Sequence, residues 1–72
     1  MTPRELAFIR ECAEGFRAAL AALTAADGDT KLAEALQQLQ EPWPGPLRNR
    51  DIGYLAAMLM AWQDRGSPEI WT

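Results

Sequence analysis

Ile52-Gly53-Tyr54-Leu55-Ala56-Ala57-Met58-Leu59-Met60-Ala61-Trp62 runs without a single charge, in a chain where 24% of the residues are charged. The run falls well short of the ~20 apolar residues that span a bilayer. It is apolar all round, which is the pattern of a helix covered on every side. A chain of 72 residues has little interior in which to cover one. The stretch therefore predicts the central helix of a small bundle whose second face meets another chain.

On a helical wheel Ile52, Leu55, Leu59 and Trp62 share one face, and Tyr54, Ala57, Met58 and Ala61 share another. The first face is assigned to the core. The second, Tyr54, Met58 and Ala61, is assigned to a protein partner, because Met adapts its shape and Tyr is enriched in interfaces. Asn49 is a suitable N-cap, Asp51 lies in the first turn, Arg65 in the last, and Gly66 and Pro68 follow, so the helix is expected over residues 50–65.

Upstream, Glu41-Pro42-Trp43-Pro44-Gly45-Pro46-Leu47 carries prolines at alternate positions, which forbid continued helix and favour extended or turn conformations. Residues 41–48 are read as a stiff connector. Trp43 within it plugs the end of the bundle or anchors a partner.

The N-terminal helix is expected over residues 3–26. Thr2 serves as N-cap, Pro3 as first helical residue and Glu5 as the third member of a capping box. Leu6, Ile9, Ala13, Phe16, Leu20 and Leu23 alternate steps of three and four and form a packing stripe. A second seam of small residues, Cys12, Gly15, Ala19, Ala22 and Ala26, lies about 110° around the wheel. Small residues admit another backbone, and this seam is expected to join Tyr54, Met58 and Ala61 in the interface. Arg10, Glu11, Glu14 and Arg17 read as a solvated ion-pair face. Asp27-Gly28-Asp29 breaks the pattern, with Gly28 suited to a left-handed cap and Asp29 to the next N-cap. A middle helix over residues 30–40 presents Leu32, Leu36 and Leu39 as its apolar stripe. The expected core is centred on Phe16, Leu20, Leu36, Leu55 and Leu59.

These signals define one all-α domain, a three-helix bundle completed by homodimerisation. At this size a single core supplies only ~3–5 kcal/mol, and small proteins add a disulfide, a metal or a partner. Cys12 is the single cysteine and histidine is absent, so an intrachain disulfide is impossible and the usual zinc spacings are missing. A partner chain remains. In the tail, residues 67–72, Ile70 and Trp71 are expected to dock on the bundle or a dimer mate rather than fray.

Composition narrows the function by exclusion. With no His and one each of Ser, Lys and Cys, neither an acyl-transfer triad nor a Cys-His pair can be assembled in one chain. Glu11 and Glu14 share a helix face, but their arginine neighbours make them surface ion pairs rather than an acid–base pair. No enzyme activity, cofactor or metal is expected. The net charge of −3 disfavours general phosphate binding, and the N-terminus lacks the features of a secretory signal. A cytoplasmic location follows as the expectation, with no membrane association. Arginine outnumbers lysine six to one, a coding bias of GC-rich bacterial or phage genomes. Arg48, Asn49 and Arg50 would suit the start of a recognition helix, but the apolar remainder of that helix opposes DNA binding. The leading expectation is a small regulator or inhibitor that occupies another protein's surface as a homodimer. Second comes an accessory subunit of an enzyme or larger assembly, and third a DNA-binding transcriptional regulator.

Overall fold

The first helix of the computed structural model, α1 (Pro3–Thr24), begins at the predicted proline. The Thr2 hydroxyl accepts the Glu5 amide at 3.2 Å and donates to the Glu5 carboxylate at the same distance. α1 stops at Thr24 rather than Ala26, because Ala25 is extended and its N–H turns back to the Ala22 carbonyl at 3.2 Å. The structure describes residues 1–66, and the expected docking of Ile70 and Trp71 lies outside them.

α2 (Gly28–Gln40) starts two residues earlier than expected, with Asp27 rather than Asp29 before it. Gly28 is not a left-handed cap. It sits in the first turn of α2, where a Cβ would lie 2.9 Å from the Leu23 carbonyl carbon and 3.2 Å from the Leu23 Cα. Its missing side chain lets α2 begin hard against the end of α1. The glycine with positive φ is Gly66, at 80°, just past α3 (Asn49–Asp64). There the Arg65 and Gly66 amides bond to the carbonyls of Ala61 and Gln63.

At the other end of α3 the Arg48 amide donates to the Asp51 carboxylate at 3.3 Å. Asn49, expected as the cap, instead donates its side-chain amide to Glu11 of α1 at 2.8 Å. This cross-link and the ion pair of Arg65 with Asp29 at 2.8 Å mark the directions of the helices. The start of α3 lies beside the middle of α1, and its end lies beside the start of α2. α1 and α3 therefore run the same way, with α2 returning against them. Because α3 begins level with Glu11, residues 3–10 of α1 stand clear of the other helices, every one of them exposed.

Most of the tertiary packing is between α1 and α3, with α2 laid against both. The core comprises Ala19, Leu32, Ala35, Leu36, Leu55, Ala57 and Met58, flanked by Phe16, Ala22, Leu23, Trp43, Tyr54, Ala61 and Trp62. Leu36 and Leu55 are core as expected. Phe16 is half-buried, whereas Leu20 and Leu59 are exposed and leave the core list. Among the described residues Arg10, Glu14 and Arg17 form no ion pairs with one another, and Arg17 Nε donates to its own Ala13 carbonyl at 3.4 Å. No strand occurs among the described residues, and none of their helices is long and apolar enough to cross a membrane.

Candidate interaction surface

Two glycines set the distance between α1 and α3. A Cβ on Gly15 would stand 2.7 Å from the Arg50 carbonyl carbon and 2.9 Å from the Tyr54 amide nitrogen, and would overlap the Arg50 carbonyl oxygen. A Cβ on Gly53 would stand 2.7 Å from the Cys12 carbonyl carbon and 3.0 Å from its Cα, and would overlap the Cys12 oxygen. The contact is reciprocal: each glycine presents a C–H to the other helix's carbonyl, a geometry that recurs at close helix crossings. The Asn49–Glu11 hydrogen bond closes the lower edge of this seam.

The seam and the apolar face of α3 pack on each other inside one chain, instead of lying together on a surface turned to a partner as expected. Gly15 and Ala19 are buried, Met58 is 0% exposed, and Cys12, Tyr54 and Ala61 are half-buried at the margins. A side chain with no accessible surface cannot contact a partner in this conformation, so Met58, Gly15 and Ala19 leave the candidate interface. Trp43 is half-buried against the core. It borders a shallow hollow of about 250 Å³ with Gln38, Glu41, Pro42 and Pro44. Trp71 lies outside the described residues.

The inversion has a steric origin. Volume alone puts Leu, Ile and Phe inside, yet a pair of mid-helix glycines lets two backbones approach until alanines and Met58 fill the space between them. The large residues on the adjoining faces are then displaced outward. Ile9 is 50% exposed, Leu20 47% and Leu59 39%, and Leu6, Phe8, Ile52 and Met60 are exposed with them. These residues, rather than Tyr54, Met58 and Ala61, form the apolar surface available for contact. The overlooked signal was Gly53, which matches Gly15 as a costly mid-helix glycine in the chain's most apolar segment.

Polar groups around this surface are sparse. Arg48, Asn49 and Arg50 line an open hollow of about 500 Å³ with Glu11 and Leu47. The Asn49 amide there is already committed to Glu11. Among the described residues no three Cys, Asp or Glu side chains converge as a metal-ligand set. The chain matches no protein-family model, no curated protein and no solved structure.

Proposed function

We propose that this chain is a small, non-enzymatic protein–protein interaction module, a bacterial or phage regulator or inhibitor that works by occupying another protein's surface. One observation carries the reading: the outward faces of α1 and α3 hold Leu6, Ile9, Leu20, Ile52, Leu59 and Met60 exposed, although the core between the helices is already filled by other residues. Apolar surface gathered on a small fold in this way marks an interaction site. A domain of this size also gains from covering it, since its own core supplies only ~3–5 kcal/mol. The accessory-subunit reading draws on the same faces. DNA binding has less support, because the outward side of α3 carries Ile52, Ala56, Leu59 and Met60 instead of polar side chains that could address bases.

The test is affinity capture from extracts of the source cell with wild type, Leu20→Glu and Leu59→Glu as baits. Both positions are exposed, so both variants keep wild-type helicity by circular dichroism. A partner retained by wild type and lost with either variant supports the proposal. Identical partner sets for all three baits refute it.

A further inference from the structure

Three shallow hollows of about 260, 250 and 280 Å³ lie in a row across the end of α2, the connector and the start of α3. Gln38 borders all three, Glu41 is shared by the first two and Trp43 by the last two. Each is smaller than the roughly 300–1,000 Å³ of a small-molecule pocket. A row of small depressions suits an extended chain instead, one that places successive side chains in successive hollows. The row sits at the end of α3 remote from Gly66, and none of the exposed apolar residues of α1 and α3 lines it.

Two properties of the lining state the chemistry of an occupant, and the first is charge. Glu34 and Glu41 border the first hollow, Glu41 the second and Asp51 the third, whereas no Lys or Arg among the described residues borders any of them. Glu34 has Lys31 at 3.9 Å. Asp51 accepts the Arg48 backbone amide, while Arg48 and Arg50 line the separate hollow beside Glu11. The last turn of α2, where free carbonyls present a partial negative charge, holds no basic residue. Asp51 offsets the opposite partial charge at the start of α3. The second property is aromatic. Trp43 and Tyr54 are half-buried. Among the described residues neither the indole N–H nor the phenol hydroxyl has a hydrogen-bond partner, and neither is sealed from solvent. Both can donate to an acceptor such as a backbone carbonyl, and the indole face attracts a cation.

We propose that this groove receives an extended, arginine-bearing segment of a partner protein. Its guanidinium groups lie against Trp43 and beside Glu41 and Asp51, and its main-chain carbonyls accept from Trp43 and Tyr54. Arginine is favoured over lysine because its planar group stacks on a ring and also forks onto a carboxylate. An acidic segment is repelled by the carboxylates, and an uncharged one leaves them without a mate. The groove is independent of the exposed apolar faces on which the interaction reading stands, so either can fail alone.

The probe is an acetylated, amidated hexa-arginine peptide, titrated into isotope-labelled protein at physiological salt, where remote charges are screened, and followed by NMR. The Trp43 indole signal, identified by its absence in Trp43→Phe, should move more than the other indole signals. Glu41→Gln and Asp51→Asn should each weaken binding by ~3- to 5-fold, the size of one exposed charge pair, and Trp43→Phe by at least ~2-fold. Glu41 is exposed, so Glu41→Gln reports on the groove even where the Trp43 variant loosens the fold. Glu14→Gln should leave the affinity unchanged, since Glu14 borders none of the hollows. Absence of binding at ~1 mM peptide overturns the inference, as does an equal loss in Glu14→Gln, which would reduce it to net-charge attraction. An uncharged polyproline peptide bound as tightly would assign the groove to a proline-rich segment and overturn it. A sedimenting dimer that hexa-arginine dissociates would assign the groove to a second copy of this chain and overturn it too.

Discussion

Adding one methyl group at Gly15 tests the close approach of α1 and α3 by a sign rather than a size. On an exposed helix, Gly→Ala stabilises by about 1 kcal/mol. Here the new Cβ would stand 2.7 Å from the Arg50 carbonyl carbon and 2.9 Å from the Tyr54 nitrogen. Both atoms are backbone at the start of α3 and cannot rotate away as a side-chain tip would. Relief requires the helices to part by roughly 1 Å, and a gap of that size forfeits a quarter to a half of each dispersion contact it opens. The contacts at stake are those of Ala19, Ala57 and Met58, all within 2% of full burial. Overpacking of this kind costs about 1–3 kcal/mol, and a backbone obstacle places it at or beyond the upper end. After the propensity gain, the net loss is ~2 kcal/mol, much of what so small a core supplies. The melting temperature should then fall by roughly 8–16 °C. Gly53→Ala should behave alike. The double variant should lose less than the sum, because the second methyl enters a seam the first has opened. Thermal melts by circular dichroism on dilute protein, with a urea titration for the free energy, make the measurement. Gly15→Ala melting at or above wild type would show that the helices do not approach this closely and would refute the seam.

Met58→Glu should unfold the isolated chain rather than release a folded monomer, since it places an unpaired charge where no solvent reaches; a cooperative melt near wild type would contradict the burial. Leu36→Ala should cost ~2–5 kcal/mol, whereas Leu59→Ala on dilute protein should cost under ~1 kcal/mol, and a reversed order in urea titrations would return Leu59 to the core. Arg65→Ala removes a short ion pair whose partner Asp29 has a 93% exposed side chain, so the loss should be under ~1 kcal/mol and should vanish in high salt. Thr2→Ala should speed amide exchange in residues 3–10 and leave the global melt nearly unmoved on dilute protein, because every residue of that segment is exposed; a drop of several degrees would show that it supports the bundle.

Local chemistry alone determined the number of helices, their approximate ends and the connector. Thr2 and Pro3 mark a start, three alternating prolines forbid helix across residues 41–48, and Gly66 supplies the left-handed stop; each acts within a turn of its own position. The misplaced details were local alternatives of nearly equal merit. Asn49 could have capped α3 but is held by Glu11 from a distant part of the chain, and Gly28 could have been left-handed but serves a close contact.

Which face of each helix points inward was decided by the tertiary structure. Periodicity shows that α1 has a large-residue stripe and a small-residue seam, and that α3 is apolar all round, but it does not say which pair of faces meets. That choice depends on how closely two backbones can approach, and Gly15 and Gly53 have to lie opposite each other for the short distance to be reached at all. Once they do, Met58 and the alanines are enclosed, and Ile9, Leu20 and Leu59 are left outside. The same residues were visible in the sequence throughout. Their roles were exchanged by a contact between positions nearly forty apart, which no local pattern encodes.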